Sequence, residues 1–116
     1  MLRLILVGVM LVLGPTAALA DLTYPELAHG YGKAQKETVE PLDSYLVGAY
    51  EGIQAANRAS FMQNRQRLLC VPPGLELNAR DLFRLIRETH EKFDQNNDIP
   101  VSYLLFIGLR QTFPCL

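Results

Sequence analysis

From residue 21 onward, apolar and polar side chains alternate with the period of an α-helix. The clearest stripe runs from Val39 to Ala56, where an apolar residue recurs every three or four positions. We place Pro41 in the first turn of this helix, where its missing N–H costs nothing. The stripe fades beyond Ala56, so the helix is predicted to end between Asn57 and Gln66. Its apolar positions are Val39, Leu42, Leu46, Ala49, Ile53 and Ala56.

Capping residues mark the start of two other helices. Thr23 and Glu26 have the spacing of a capping box, which predicts a short first helix that ends near Gly30. Asn78 is a good N-cap for a third helix, and Asp81 follows in the first turn, where a negative charge suits the helix dipole. The predicted buried stripe of this third helix is Leu82, Leu85, Ile86, Thr89 and Phe93.

Pro100 opens a fourth helix whose apolar residues cover more than half of its circumference. A helix of this kind lies at the centre of a core or pairs with a second copy of itself. The residues concerned are Val101, Leu104, Leu105, Ile107, Gly108 and Leu109. The chain shows no alternation typical of β-strands. The predicted fold class is therefore all-α, a small four-helix domain.

Two features of these helices favour a homodimer. The fourth helix offers more apolar surface than a small monomer easily hides. Gly48 and Gly52 lie four residues apart, hence on one helix face, and small residues there let another helix approach closely. The alternative is that both glycines are tolerated without a packing partner. We predict a homodimer built on the fourth helix or on the glycine face.

The first twenty residues have the pattern of a cleaved secretory signal peptide. Arg3 supplies a positive start, and residues 4–13 are apolar but too few to cross a bilayer, which needs about 20 helical residues. Small residues then precede a predicted cleavage after Ala20. We expect an exported, periplasmic domain of residues 21–116 with no membrane attachment after cleavage; the alternative is an uncleaved membrane anchor.

The two cysteines of the chain are Cys70 and Cys115. An even count in an exported chain predicts that they form a disulfide. The alternatives are a catalytic thiol, which needs a histidine base, and a zinc site, which needs three or four ligands at close spacing. Residues 70–74, here called the elbow, contain two consecutive prolines and cannot be helical. The predicted disulfide closes the domain by joining the C-terminus to the elbow.

Charge and motifs point to no nucleic-acid site and no active site. The chain has 11 Lys and Arg against 12 Asp and Glu, a formal net charge of −1 with both signs mixed. Arg84 with Glu88 and Arg87 with Glu91 have the spacing of a solvated helix face. Residues 94–98 are acidic, but they lack the glycine and the distal glutamate of a calcium loop. We therefore expect a non-enzymatic protein without a metal or cofactor.

A candidate partner-binding surface lies at the end of the second helix, within residues 57–68. Aromatic, methionine and arginine side chains are enriched in the cores of protein interfaces. This stretch concentrates all three types. The alternative is that its aromatic and methionine side chains cover the core beneath the elbow. The candidate residues are Arg58, Phe61, Met62, Arg65 and Arg67.

Three motifs together resemble the Tai family: Tyr45-Leu46-Val47-Gly48, Cys70-Val71-Pro72-Pro73-Gly74 and Phe113-Pro114-Cys115. The resemblance covers residues from about 41 to 116. Tai proteins are periplasmic immunity proteins that protect a cell from type VI secretion amidase effectors, which cut peptidoglycan peptides. The resemblance implies that this chain binds and inhibits a secreted peptidoglycan amidase, as a homodimer.

A second hypothesis is a small periplasmic chaperone-like or structural protein with no effector partner, similar in size and disulfide use to the small acid chaperones. Such a chaperone would expose apolar surface in acid, whereas an inhibitor would stay folded. The two hypotheses therefore differ in a measurable property.

Overall fold

The computed structural model describes residues 22–93 and 98–116. These residues form four helices, α1 (Tyr24–Gly32), α2 (Lys36–Asn64), α3 (Ala79–Lys92) and α4 (Val101–Thr112). The predicted all-α, four-helix fold is confirmed. The predicted signal peptide lies outside the described residues, as does most of the acidic linker. None of the described helices is both long and apolar enough to cross a membrane.

The N-terminus of α3 has the predicted cap. The Asn78 side chain accepts a hydrogen bond from the Asp81 backbone N–H at 2.9 Å, and the Asp81 carboxylate accepts one from the Asn78 N–H at 3.1 Å. Two backbone donors at the helix start are thereby satisfied reciprocally. The local sequence alone was enough to fix this boundary.

The start of α1 lies where it was predicted, but the expected capping box with Glu26 is wrong. Thr23 precedes the helix without a side-chain capping hydrogen bond. Its extended backbone instead pairs with Pro100, and the Val101 N–H donates to the Leu22 carbonyl oxygen at 2.8 Å. Tertiary backbone contacts with the start of α4 therefore position α1. The helix also runs two residues past its predicted end, to Gly32.

The start of α2 lies earlier than the apolar stripe indicated. The helix begins at Lys36, and the Gln35 carbonyl oxygen accepts hydrogen bonds from Thr38 and Val39, each at 2.9 Å. Pro41 therefore lies inside the helix, and its predicted place in the first turn is wrong. The first turn is polar and exposed, so apolar periodicity did not reveal it.

α4 lies at the centre of the hydrophobic core. The residues with no exposed surface come from every helix: Leu27 of α1, Leu46 of α2, Leu82 and Ile86 of α3, and Val101, Leu104, Leu105 and Leu109 of α4. Most of the apolar residues of α4 that favoured a dimer are thus buried within one chain, whereas Ile107 is half-buried. The dimer itself stays a prediction.

α3 and α4 approach most closely at Gly108. A Cβ at this position would lie 2.6 Å from Thr89 Oγ1 and 3.4 Å from the Leu85 carbonyl oxygen. Thr89 is buried, and its hydroxyl donates to that same carbonyl at 2.7 Å. By contrast, a Cβ at Gly48 or Gly52 would meet nothing within 4 Å. The predicted glycine face of α2 therefore has no packing partner among the described residues.

Aromatic contacts pack α1 against α3, and a tyrosine hydrogen bond joins α1 to α2. Tyr24 stacks on His90 with ring centroids 4.0 Å apart, and Tyr31 lies 4.7 Å from Phe83. The Tyr31 hydroxyl also donates to Asp43 at 2.6 Å. Burial, together with this bond and the negative charge of Asp43, raises the pKa of the Tyr31 phenol. The phenol therefore remains a hydrogen-bond donor at every physiological pH.

The outer face of α3 is exposed, as predicted, but its charged side chains are not paired. Among the described residues, neither Arg84 and Glu88 nor Arg87 and Glu91 form an ion pair, whereas Lys36 and Glu40 of α2 do, at 3.7 Å. Arg87 lies over the Phe83 ring instead, 5.9 Å from its centroid. Phe93, predicted to be buried, caps the end of α3 and is 36 % exposed.

The surroundings of the glycines predict opposite effects of two Gly→Ala substitutions on stability. Gly108→Ala should lower the free energy of unfolding by about 1–3 kcal/mol, because the methyl group overlaps Thr89 and α3 must move. Gly48→Ala should raise it by up to about 1 kcal/mol, since alanine is the better helix former and the space is open. Urea unfolding followed by circular dichroism measures both. A Gly108→Ala protein as stable as the parent would contradict the close packing of α3 and α4.

Candidate partner-binding site

The elbow is fixed to the C-terminal end of the chain. Cys70 and Cys115 form the predicted disulfide, with an S–S distance of 2.04 Å and Cα atoms 5.1 Å apart. The Cys70 N–H also donates to the Phe113 carbonyl oxygen at 2.9 Å. The elbow closes with Gly74 at φ 81°, in the left-handed region that favours glycine. A covalent bond and a backbone hydrogen bond thus hold one end of the elbow.

Asn57 joins α2 to the segment that leads into the elbow. Its side-chain oxygen accepts hydrogen bonds from the Leu68 and Leu69 N–H groups at 2.7 and 3.2 Å, and its amide donates to the Leu69 carbonyl oxygen at 2.9 Å. Leu69 is 1 % exposed, so these backbone groups need partners inside the protein. The sequence pattern was not used to predict this role. It does contain one indication, because Asn57 is a polar residue four positions after Ile53, on the buried stripe of α2.

The end of α2 turns two arginines back over an aromatic ring. The helix ends at Asn64, inside the predicted window, and Arg65 has the left-handed conformation, with φ 57°. The Arg65 N–H donates to the Phe61 carbonyl oxygen at 2.9 Å. The guanidinium groups of Arg67 and Arg65 lie 4.6 and 5.6 Å from the centroid of the Phe61 ring. These distances are those of cation–π contacts, which hold both long side chains in place.

A groove of about 540 Å³ lies between the second half of α2 and the elbow. Arg58, Phe61 and Arg67 line it on the α2 side, and residues 70–73 form the opposite wall. Leu69 and the Asn57 side chain lie between the two walls. We call this cavity the elbow groove. It is open to solvent and has room for side chains of a second molecule.

The structure brings together four of the five candidate residues and separates Met62 from them. Arg58, Phe61 and Arg67 line the elbow groove, and Arg65 reaches the Phe61 ring without lining it. Met62 is 72 % exposed and does not line the groove.

The alternative role for Phe61 and Met62, covering the core beneath the elbow, is not what the structure shows. Phe61 is half-buried and lies outside the hydrophobic core of the described chain. Leu69 and Val71 cover the core at this point instead. The Phe61 ring therefore faces the arginines and the groove.

The elbow groove carries an excess of positive charge. No aspartate or glutamate occurs in residues 52–75, which include Arg58, Arg65 and Arg67. Within the described part of the chain, no carboxylate forms an ion pair with any of the three. The chain as a whole has a formal net charge of −1. Three of its 11 basic residues thus lie in one stretch that contains no acidic residue.

A second groove, of about 370 Å³, continues from the first along α2. The two share Gln54, whose amide donates to the Tyr50 hydroxyl at 2.9 Å. Burial raises the pKa of the Tyr50 phenol. Val47 and Leu75 line this second groove and are 38 % and 43 % exposed. We call it the apolar groove.

Comparison with known proteins gives no match from which to infer the function. No protein-family model, curated protein or solved structure matches it. Among the described residues, no group of three or more His, Cys, Asp or Glu side chains is placed to hold a metal ion.

The hydrogen bonds of Asn57 predict a local stability effect. Asn57→Ala leaves two N–H groups and one carbonyl without protein partners, so the free energy of unfolding should fall by about 1–3 kcal/mol. Gln63→Ala, an exposed change on the same helix, should alter it by less than about 0.5 kcal/mol. Chemical denaturation measures both variants. Equal stability of the two would show that Asn57 does not hold the segment before the elbow.

Proposed function

We propose that this chain is a periplasmic immunity protein that binds and inhibits a type VI secretion peptidoglycan amidase. The observation that carries this proposal is the composition of the elbow groove. Its far wall is formed by residues 70–73 of the Cys70-Val71-Pro72-Pro73-Gly74 motif, and Phe113-Pro114-Cys115 pins that wall in place. Two of the three motifs that resemble the Tai family therefore build the surface to which the candidate residues contribute.

The side chains of the elbow groove are suited to binding. Arginine and phenylalanine are enriched in interface cores, since both bring large contact area and arginine adds directed hydrogen bonds. The sulfur of Cys70 is already committed to the disulfide, and no histidine or carboxylate lines the groove. An inhibitor needs shape and charge and no nucleophile or general base. In this proposal the protein is therefore not an enzyme and uses no cofactor.

The proposal includes export and a homodimer. The disulfide supports an oxidising compartment such as the periplasm, which the chain would reach through its cleaved signal peptide. With the α4 residues buried, the dimer would use the glycine face of α2. Gly48 and Gly52 have open space beside them, and Tyr45 on the same face is 36 % exposed. This face lets the helix of a second copy approach closely.

Inhibition of an amidase encoded beside this gene tests the function directly. The oxidised protein should abolish the release of peptides from purified peptidoglycan at about one chain per enzyme. Phe61→Ala should weaken the affinity by about tenfold or more, because it removes the ring that holds Arg65 and Arg67. Calorimetry measures the affinity, and circular dichroism checks that the helices are intact.

Tyr103→Ala provides the matched control for the aromatic change. Tyr103 is 51 % exposed on α4 and lines none of the grooves described above, so its removal should leave the affinity unchanged. Full amidase activity in the presence of excess protein would contradict the proposed function. If that protein also exposed apolar surface in acid, the chaperone-like hypothesis would be favoured instead.

A further inference from the structure

We propose that the elbow groove is the receptor for an acidic, extended segment of the partner protein. The inference rests on the proposed function, since it names the chemistry that a partner amidase would present. It goes further by assigning the contact to carboxylates that meet Arg58, Arg65 and Arg67. The same segment would place apolar side chains in the apolar groove.

The arginines are arranged to receive carboxylates. A guanidinium group offers parallel N–H donors that match the two oxygens of a carboxylate. Phe61 holds two of these groups over its ring, so less side-chain freedom remains to be lost on binding. None of the three has a carboxylate partner within the described chain. A partner's carboxylate therefore displaces no internal ion pair.

The walls of the elbow groove favour contacts with the side chains of the bound segment over hydrogen bonds with its backbone. Pro72 and Pro73 form part of the far wall and have no N–H to donate. The nearby Asn57 amide is already bonded to the backbone of Leu68 and Leu69. The Gln54 amide donates to the Tyr50 hydroxyl, so the charged donors on this surface are the arginines. The affinity should therefore increase with the negative charge of the bound segment.

The apolar groove indicates that the ligand is a length of chain and not a single small anion. It joins the elbow groove at Gln54 and presents the exposed side chains of Val47 and Leu75. A segment that spans both grooves gains carboxylate contacts at one end and apolar burial at the other. Burial of this apolar area adds to the affinity without directional requirements.

Two carboxylates argue against a membrane surface as the ligand. Glu51 and Glu76 line the apolar groove, which joins the elbow groove at Gln54. A broad anionic surface that reached the arginines would also meet these acids and be repelled. A narrow segment avoids them, because its acidic residues occupy the elbow groove alone. The charge pattern thus selects a protein segment over a lipid bilayer.

The test uses two synthetic peptides and needs no amidase. The first is the acidic peptide Asp-Asp-Asp-Leu-Leu, and the second is its neutral counterpart Asn-Asn-Asn-Leu-Leu, both with blocked ends. Titration of each into isotope-labelled oxidised protein, followed by NMR, should show shifts at the elbow groove with the acidic peptide. The neutral peptide should bind at least about tenfold more weakly, and added salt should weaken the acidic peptide.

Matched variants assign the binding to the proposed arginines. The triple change Arg58→Gln, Arg65→Gln and Arg67→Gln should reduce the affinity for the acidic peptide by about tenfold or more. Arg110→Gln is the control, since Arg110 also lies over a phenylalanine ring, 5.8 Å from the centroid of Phe106. That control should bind like the parent. The single change Arg58→Gln repeats the test with the contacts to Phe61 intact.

Three outcomes would overturn the inference. These are equal binding of the two peptides, shifts that survive the triple change, and stronger binding to phosphatidylglycerol vesicles than to the acidic peptide. An amidase that is inhibited equally by the parent and by the folded triple variant would also refute it while leaving the proposed function standing. Failure to inhibit any amidase, together with arginine-dependent binding of the acidic peptide, would refute the proposed function alone.

Discussion

The Cys70–Cys115 disulfide is the constraint on which the rest of this structure depends. It joins residues 45 positions apart, and the intervening chain contains both α3 and α4. Closing a loop of this length restricts the unfolded chain, which in the chain-entropy model contributes roughly 4 kcal/mol to stability. That is a large part of the roughly 5–10 kcal/mol expected for so small a domain. The same bond also positions the elbow, which lies between α2 and α3 and forms one wall of the elbow groove.

The elbow groove is a consequence of two anchors that act on opposite ends of a short segment. Asn57 holds Leu68 and Leu69 against α2, and the disulfide with the Phe113 carbonyl holds Cys70 against the end of α4. The arginines precede these anchors in the chain, and the prolines follow them. The disulfide therefore keeps the prolines beside the end of α4. The space left between them and α2 is the groove in which we place the partner.

Sequence periodicity was sufficient for the architecture because the core is made of complete helical stripes. Apolar spacing predicted four helices, and Asn78 with Asp81 predicted one helix start to the residue. The sequence pattern did not predict the features that tertiary contacts determine. The start of α1 is set by pairing with Pro100, and α4 is buried because α3, and to a lesser extent α2, pack on it. At the site, residue types indicated Phe61 and its arginines, but only the turn after α2 shows which of them meet.

Hydrogen exchange with and without the disulfide tests most directly whether this bond builds the groove. Amide exchange would be measured by NMR on the oxidised protein and on the protein with its disulfide reduced. We predict that reduction removes protection at Leu68, Leu69 and Cys70, because the elbow then opens as a local unit. The amide of Ile86, in the core of α3, should remain the better protected, although reduction lowers its protection by the stability that the disulfide contributes. Protection at Leu68, Leu69 and Cys70 that falls no further than that at Ile86 would contradict the account.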